Sequence, residues 1–517
     1  MKKLVLLAVG LMLACNSSQK TVTEAPKAPK IIDPVAYGET ITEDDLKEHL
    51  YTYASDEFEG RETGTAGQKK AVEYLKSFYE EMGIAAAQGN GDYFQNVPLE
   101  VSKVPTGSIS INNTTLELGE NIVTFSAAKG EVNSIVYVGY GIEEGDYSDY
   151  NGIDVKDKFV LIKAGEPVEN GIYPLTGTME KSIWSNASEA TGKKTEIALS
   201  KGAKGVFYYD ALTFPRFRGY FEFMKNNNSG RMQLASDRND NILIYLNEIA
   251  ATAIKSDIES DNVATNVPVN LNLNITAGND QINSENVVAV LKGSEKPDEY
   301  VIISSHLDHI GITGDGQINN GADDDGSGTV ALLEIAQAFK NAADEGNGPK
   351  RSIVFLHVTG EEKGLLGSRY YTDVDPIFPL ENTVVDLNID MIGRIDPNYQ
   401  GQRNYLYLIG SDKLSTELHE LSEDINKKYT NIEFDYTYND ENDPNRFYYR
   451  SDHYNFAKNN IPIIFYFNGT HEDYHRPGDT PDKINYDLLE NRTRLIFYTA
   501  WEVANKDDKL IVDKATD

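Results

Sequence analysis

The chain of 517 residues is longer than one ordinary domain, so two or three domains are expected. With 40% hydrophobic and 25% charged residues, it has the apolar content of a globular protein. Its 48 Lys and Arg against 81 Asp and Glu give a net charge of −33. This balance disfavours nucleic-acid binding, which needs a basic surface, and we interpret it as a soluble, self-repelling surface.

The N-terminus has the pattern of an export signal. A short basic start precedes the apolar run Leu4–Leu13 and Cys15, the single cysteine. This resembles a bacterial lipoprotein signal peptide (residues 1–14), cleaved before a cysteine that is then lipidated, although Met12 stands where leucine is commoner. The alternative is an ordinary secretory signal with an incidental cysteine, and the apolar run is too short for a transmembrane helix. We expect an exported, membrane-anchored lipoprotein, periplasmic or at the cell surface, with residues 15–35 as the lipidated cysteine and tether.

Helices come next, followed by a β-rich region. Apolar residues at helical spacing predict helices within Ile41–Ile84, with a start near Thr42 and an end at Gly83. A glycine-rich loop, Glu59–Gly67, separates them. Short, closely spaced β-like runs over residues 101–277 then predict a separate inserted domain.

From Asn286 onward, strands alternate with helices. This alternation predicts a three-layer α/β/α domain with a largely parallel central sheet, built from residues 36–100 and 278–517. The predicted strands are Val287–Leu291, Tyr300–Ser304, Ile353–Val358, Thr383–Ile389, Asn404–Ile409 and Ile461–Phe467. One predicted helix begins near Gly328, and three others lie near Leu414–Lys428, His453–Asn459 and Tyr486–Asn505.

Histidines and acidic residues follow several of these apolar strands. They occur in VIISSHLDH, GADDDGSG, SIVFLHVTGEEKGLLGS, TVVDLNIDMIGR and IPIIFYFNGTHEDYHRPGDT. In open α/β sheets, ligand sites form beyond the carboxyl ends of the strands. Imidazole and carboxylate groups without cysteine suit a hydrolytic two-metal centre with nitrogen and oxygen ligands. The sequence therefore predicts a metallohydrolase.

The first two segments supply a histidine and a shared carboxylate. His306 and Asp308 are two residues apart, so in an extended segment they point to the same side, and the carboxylate can hold the other ring nitrogen of the ligand histidine. A two-metal site needs a carboxylate that bridges ions ~3.5–4 Å apart, and one of residues 323–325 is the natural candidate. We interpret His309 as a bystander.

The next two segments supply further carboxylates. Glu361 and Glu362 are adjacent after a strand and point in different directions, so one can bind metal while the other acts as general base. Asp390 ends a very apolar strand, where an unpaired carboxylate would be costly without a cation. Asp386, inside the same strand, is a competing candidate.

The last segment contains two histidines, and the residues alone do not decide between them. His471 lies nearer the strand, and His475 follows four residues later. His453 is a candidate for lining the site. The histidines expected to be structural are His49, His357 and His419.

Taken together, the motifs resemble peptidase family M28, the co-catalytic zinc aminopeptidases. The resemblance rests on EGRETGTAG followed by HLD, GADDDGSG, EE-x-GLLGS, NIDMIGR and DYHRPGDT in that order. The phrases GYGI, DVKDKFVLIKAG and KGAKGVFYY in the insert resemble the protease-associated (PA) domain that some members carry.

The resemblance implies particular roles for these residues. One zinc ion would lie on His306 and Asp390, the other on Glu362 and His475, which the Y-H-x-P-x-D-T phrase selects over His471. Asp323 would bridge the two ions, with a cis peptide to Asp324. Glu361 would be the general base, Asp308 the partner of the ligand histidine, and Tyr474 the oxyanion donor. Arg450 stands where other members have a tyrosine before S-D-H.

The implied function is hydrolysis of N-terminal residues from peptides, by a metal-bound water that the glutamate base activates. Alternatives on the same scaffold are a carboxypeptidase or dipeptidase and a glutaminyl cyclase, and a more remote alternative is an inactive binding scaffold. The expected partners are peptide substrates, with no nucleic acid and with membrane contact only through the lipid anchor. Side-chain preference would depend on loops such as Tyr436–Arg450.

Overall fold

The computed structural model describes residues 32–226, 230–237 and 241–514. The expected signal peptide, Cys15 and most of the tether lie outside these ranges. Within them, no helix combines the length and apolarity that a membrane span requires.

The described chain forms α-helices, two large sheets and a two-stranded sheet of β7 and β8. The helices are α1 (Val35–Gly38), α2 (Glu43–Tyr53), α3 (Ala66–Met82), α4 (Ala187–Ser200), α5 (Phe214–Asn226), α6 (Glu248–Ile254), α7 (Gly328–Asp344), α8 (Leu366–Arg369), α9 (Thr416–Tyr429), α10 (His453–Ala457) and α11 (Tyr486–Asn505). The strands are β1 (Ala85–Ala86), β2 (Phe94–Ser102), β3 (Thr106–Ile111), β4 (Thr114–Glu117), β5 (Ile122–Thr124), β6 (Ala128–Tyr137), β7 (Glu143–Glu144), β8 (Tyr147–Ser148), β9 (Phe159–Lys163), β10 (Gly205–Tyr209), β11 (Arg231–Leu234), β12 (Ile242–Leu246), β13 (Thr265–Thr276), β14 (Asn279–Leu291), β15 (Lys296–His306), β16 (Arg351–Val358), β17 (Thr383–Ile389), β18 (Tyr405–Ile409), β19 (Glu433–Asp435) and β20 (Ile463–Phe467).

The main sheet has the strand order β11-β2-β14-β16-β15-β17-β20-β18-β19. Its centre, β16-β15-β17-β20, is parallel throughout. On one side β14 pairs antiparallel with β16, and β2 pairs antiparallel with β14. On the other side β18 pairs antiparallel with β20. The predicted α/β fold class is confirmed, with a mixed sheet that is parallel where the polar segments emerge.

Helices cover both faces of the main sheet, as its strand sequences require. Val301 and Ile303 of β15 pack into one core with apolar residues of α7 and α11. Ile302, between them, packs into the opposite core with Phe456 of α10. Because every central strand is buried on both faces, its sequence is continuously apolar rather than alternating.

A second sheet, with the order β4-β3-β13-β6-β9-β10-β12-β5, lies entirely within residues 106–276. Its strands β6, β9, β10 and β12 are mutually parallel, and α4 and α6 pack on them. Strand β11 belongs to the same stretch of sequence but pairs antiparallel with β2 at the edge of the main sheet.

The helix limits follow the local sequence signals. The Thr42 hydroxyl accepts a hydrogen bond from the backbone N–H of Asp45 (3.2 Å) at the start of α2. Helix α3 ends at Gly83, which has φ 66°. Helix α11 has the predicted limits. Strand β14 is longer than predicted, since its polar first half, from Asn279, is paired with β2.

Candidate metal centre and active site

The central strands end at one edge of the main sheet, and the site lies there. His306 is the last residue of β15, and Asp390 directly follows β17. The Glu361–Glu362 pair follows β16, and the segment after β20 carries His475. Since all four strands are parallel, their carboxyl ends bring these side chains together.

His306 faces two carboxylates. Its Nε2 lies 3.1 Å from Asp324 Oδ1 and 3.6 Å from Asp390 Oδ1. Its Nδ1 lies 2.9 Å from the backbone carbonyl of Asp308. Although burial lowers it, the carboxylates of Asp324 and Asp390 raise the pKa of His306 well above its ordinary value. The ring is oriented with Nε2 toward the acidic groups.

The Asp308 carboxylate does not hold this ring closely, because the chain leaves the extended conformation after β15. It lies 4.0 Å from His306 Nδ1. It accepts hydrogen bonds instead from the Thr63 hydroxyl (2.7 Å) and from the backbone N–H of Glu361 (3.1 Å). Asp308 therefore joins the glycine-rich loop to the Glu361 segment, and Thr63 is a site residue that the sequence analysis missed.

Asp324, rather than Asp323, lies between the two groups of ligands. Its Oδ1 is 3.1 Å from His306, and its Oδ2 is 3.1 Å from His475 Nε2. His475 Nε2 is also 3.2 Å from Glu362 Oε2. The cis peptide joins Asp324 to Asp325. One carboxylate therefore contacts both histidines that the sequence analysis proposed as ligands.

Asp323, expected to be this shared carboxylate, points elsewhere. Its Oδ1 accepts hydrogen bonds from the backbone N–H of Gly393 (2.7 Å) and from the Ser327 hydroxyl (3.1 Å). Its Oδ2 accepts one from Asn468 Nδ2 (3.1 Å) and lies 3.2 Å from His471 Nε2. The extended backbone at Asp324 (φ −104°, ψ 100°) turns successive side chains in different directions. The expectation of a shared Asp323 is thus corrected by one residue.

Two further carboxylates hold the surrounding backbone. Asp325 accepts hydrogen bonds from the backbone N–H groups of His306 (3.2 Å) and Met391 (3.1 Å), which links the ends of β15 and β17. Asp479 accepts them from the N–H groups of Asp323 (3.0 Å) and Asp324 (3.1 Å). The sequence analysis quoted Asp479 in the R-P-G-D-T phrase without giving it a role.

Glu361 and Glu362 point in different directions, as predicted. Glu361 lies with Asp324, Asp390 and His475 around a cavity of about 30 Å³. Burial, reinforced by the Asp390 and Glu362 carboxylates, raises the pKa of Glu361 well above its ordinary value. Glu362 faces His475, and its side chain is 6% exposed.

His309, which the sequence led us to interpret as a bystander, also faces Glu362. Its Nδ1 lies 2.9 Å from Glu362 Oε1 and 3.7 Å from Asp324 Oδ2. The ring is fully buried and lies edge-on to His475, with 5.7 Å between centroids. The signal in the sequence was the second histidine of HLDH.

Asp390 is supported by hydroxyl and amide groups behind it. The Ser451 hydroxyl donates a hydrogen bond to Asp390 Oδ2 (2.6 Å), and Asn388 Nδ2 donates to Ser451 Oγ (2.9 Å). Asp386, the competing candidate, accepts a hydrogen bond from Ser304 (2.8 Å), and burial raises its pKa well above its ordinary value.

Aromatic side chains and one cationic residue, Arg450, line most of the rest of this cavity. Its other lining residues are Met391, Phe447, Arg450, Phe465, Phe467, Thr470 and Tyr474. The Tyr474 ring stacks on His475 with 3.9 Å between centroids. Burial, followed by the carboxylates of Asp324 and Glu362, raises the pKa of Tyr474 well above its ordinary value, so the phenol keeps its proton.

The remaining histidines have other partners. His453 contacts the Tyr448 carbonyl (2.8 Å) and stacks on Phe465. His357 contacts the Tyr79 hydroxyl (2.8 Å) and Ser305 (3.1 Å). His49 contacts Tyr74 (2.6 Å), and His419 contacts Ser411 (3.0 Å).

The donors fit divalent cations. Two groups of converging ligand atoms share Asp324: His306, Asp324 and Asp390, and His309, Asp324 and Glu362, with the atoms of each group within 4.8 Å of one another. Asp324 Oδ2, Glu362 Oε1 and His309 Nδ1 are buried without a hydrogen-bond partner among the described residues. Buried polar atoms left in this way are costly unless a cation compensates them. Nitrogen and oxygen donors of this kind suit zinc.

Part of the chain is similar in sequence to known peptidases. Residues 286–500 match peptidase family M28. "Leucine aminopeptidase 2" of Arthroderma otae is 27% identical over 289 residues, which cover 50% of this chain and 53% of that protein. "Probable glutamate carboxypeptidase LAMP1" of Arabidopsis thaliana is 36% identical over 106 residues, 20% of this chain and 14% of that protein. The chain thus spans about half the length, or less, of these curated relatives.

A solved structure, an aminopeptidase from Aneurinibacillus sp. strain AM-1, superposes with a TM-score of 0.49 and 18% sequence identity, covering 93% of this chain and 98% of that chain.

Proposed function

Because residues 286–500 match peptidase family M28, we propose that this protein is a zinc aminopeptidase with two metal ions. The observation that carries the proposal is the contact of Asp324 with both His306 and His475, each of which also contacts a second carboxylate. A shared carboxylate between two such groups is the arrangement that a two-metal hydrolase needs.

The residues divide into two ligand groups around the shared carboxylate. His306 and Asp390 would hold one zinc ion with Asp324, and His475 and Glu362 would hold the other. Zinc bound here would lower the pKa of the attacking water and polarise the scissile carbonyl.

Glu361 acts as general base in this proposal. It accepts a proton from the attacking water and returns it to the leaving amine. The hydrogen bond from its backbone N–H to Asp308 (3.1 Å) fixes its segment against the His306 loop. Tyr474, protonated and stacked on His475, donates a hydrogen bond to the oxyanion, which is worth roughly 3 kcal/mol by comparison with other oxyanion donors.

The acidic surroundings favour a substrate with a free α-amine. Glu361, Asp324 and Asp390 line one small cavity, with Glu362 in the adjoining group of ligand atoms, and an ammonium group is attracted to such a cluster. The relative that aligns over the greater length bears the name of an aminopeptidase. We therefore propose cleavage at the N-terminal end of peptides.

A carboxypeptidase is the second candidate, and one observation favours it. Arg450 lines the same cavity, and among the described residues no carboxylate forms an ion pair with its guanidinium. A free cation at the site would bind a C-terminal carboxylate. Hydrolysis of matched peptides with free and acetylated N-termini separates the two candidates. An aminopeptidase cleaves only the free form, whereas cleavage of the acetylated form at its C-terminus would replace our proposal.

The substitution Glu361→Gln tests the proposed role of this residue as the general base. The variant keeps the shape of the side chain and loses its basicity, so we expect zinc content to be retained and kcat to fall by about 10²–10⁴. Glu334→Gln, which alters a largely buried glutamate paired with His49, is the control and should keep its activity. Near-normal turnover of the Glu361 variant would remove this residue from the role.

Export as a lipoprotein completes the proposal. It rests on the sequence Leu4–Cys15 alone. Labelled palmitate should be incorporated into the protein in bacterial cells and lost in Cys15→Ser, and labelling of the variant at the original level would contradict the anchor.

A further inference from the structure

We propose that His309 is a ligand of the metal ion held by Glu362 and His475, through its Nδ1. This inference rests on the proposed two-metal site and extends its ligand set. It gives one ion two imidazoles and the other ion only that of His306.

The distances of His309 are those expected within one coordination sphere. Ligand atoms about 2.0–2.2 Å from zinc lie roughly 2.9–3.7 Å from one another at bond angles of about 90° to 130°. His309 Nδ1 is 2.9 Å from Glu362 Oε1 and 3.7 Å from Asp324 Oδ2. His475 Nε2 is 3.1 Å from Asp324 Oδ2 and 3.2 Å from Glu362 Oε2. All four separations fall in this range.

The short contact between His309 and Glu362 is compatible with two ligands of one ion. Neither Nδ1 nor Oε1 has a hydrogen-bond partner among the described residues, although the two atoms are 2.9 Å apart. An N–H that served only to orient Glu362 would point along the line to its oxygen. The donor atoms of two ligands of one ion point instead toward the ion, which lies to one side of the line between them.

The His309 ring is fixed in its position by the backbone around it. A Cβ at Gly321 would lie 2.6 Å from His309 Cγ, so the ring packs directly on the backbone at Gly321. The backbone N–H of His309 bonds to the Arg61 carbonyl (3.3 Å). The ring is fully buried, and its Nε2 also lacks a hydrogen-bond partner among the described residues. A buried imidazole with neither nitrogen bonded is costly, and coordination through Nδ1 reduces that cost.

The decisive experiment is a crystal structure of the zinc-loaded full chain, with the ions located by anomalous scattering at the zinc edge. We expect a distance of about 2.1 Å from His309 Nδ1 to the ion on Glu362 and His475. A distance beyond about 3 Å, with Nδ1 donating a hydrogen bond to Glu362, would reduce His309 to an orienting residue and overturn the inference.

Zinc titration by calorimetry gives a second measurement. A residue that only orients a ligand changes metal affinity by about 10–100-fold, so we expect His309→Gln to weaken one of two sites by more than about 100-fold. His357→Gln, which alters another fully buried histidine, should bind two zinc ions as the wild type does. If His309→Gln binds zinc at both sites as tightly as the wild type does, the inference is overturned while the proposed function stands. A wild type that binds no zinc would overturn the proposed function together with the inference.

Discussion

The choice between Asp324 and Asp323 as the shared ligand can be tested with a pair of adjacent substitutions. Asp324→Asn keeps the size of the side chain but turns one carboxylate oxygen into an amide NH₂, which cannot bind a cation. Because each oxygen lies 3.1 Å from a different histidine, one of the two proposed ions would lose this ligand. Asp323→Asn makes the same chemical change one residue earlier, at an equally buried position.

The structure gives different magnitudes for the two variants. Loss of a direct ligand should weaken metal affinity by more than the about 10–100-fold that is typical when a residue supporting a ligand is changed. A 100-fold loss of affinity corresponds to about 2.7 kcal/mol of binding free energy. In Asp323→Asn, the amide oxygen can still accept from Gly393 and Ser327, while the NH₂ faces Asn468 Nδ2. The buried hydrogen bond from Asn468 and the buried contact with His471 Nε2 (3.2 Å) are lost, and the hydrogen bond alone is worth about 1–3 kcal/mol in the free energy of unfolding.

Metal content and thermal unfolding distinguish the two effects. After dialysis against a weak chelator, elemental analysis should find less than two zinc ions per chain in Asp324→Asn. Asp323→Asn should keep two and unfold at a lower temperature. The opposite outcome, with metal lost from Asp323→Asn and retained by Asp324→Asn, would refute our reading of the geometry and restore Asp323 as the shared ligand.

Three further predictions follow from other residues of the fold. Tyr474→Phe should lower kcat by about 10²–10³ with zinc content unchanged, since it removes an oxyanion donor; an unchanged kcat in steady-state assays would exclude that role. Arg450→Ala should lower kcat/KM about 2- to 5-fold more for substrates with an acidic side chain than for leucyl substrates, as the loss of one exposed ion pair implies; equal effects on both would contradict a substrate contact. Burial lowers the pKa of His357 to about 3, below the unfolded value near 6.5, so its neutral form contributes stability that is complete above pH 6.5 and lost as pH falls. Between pH 7 and pH 5 the free energy of unfolding of the wild type should fall by about 2 kcal/mol more than that of His357→Gln, measured by denaturant titration, and parallel curves would refute this.

Most of the fold and the location of the site could be predicted because one physical rule fixes both. Strands β15, β16, β17 and β20 are largely apolar because both faces of the sheet are covered, so polar residues at or just after their carboxyl ends mark the sheet edge. His306, Glu361 and Asp390 were found in this way. Their convergence required only that the strands be parallel, which the alternation with helices indicated.

The errors arose where the chain leaves regular structure. Three consecutive aspartates are chemically equivalent, and only the backbone angles at Asp324 and Asp325 decide which carboxylate faces the histidines. The alternation rule that paired Asp308 with the ring of His306 applies only to an extended strand, and β15 ends at His306. Beyond it, the chain pairs with Glu62, which turns His309 inward. Contacts of this kind join segments distant in sequence and leave no periodic signal.

The same geometry gives a physical reason for the proposed metal ions. Asp308, Asp324 and Asp325 are nearly completely buried at one sheet edge, with Glu361 and Glu362 beside them. Hydrogen bonds from backbone N–H groups satisfy Asp325, and Thr63 with the N–H of Glu361 satisfies Asp308. Oxygen atoms of Asp324 and Glu362 receive no such bond among the described residues. The fold therefore satisfies the carboxylates that support the backbone with hydrogen bonds, and it leaves those of the proposed ligands to be compensated by metal ions.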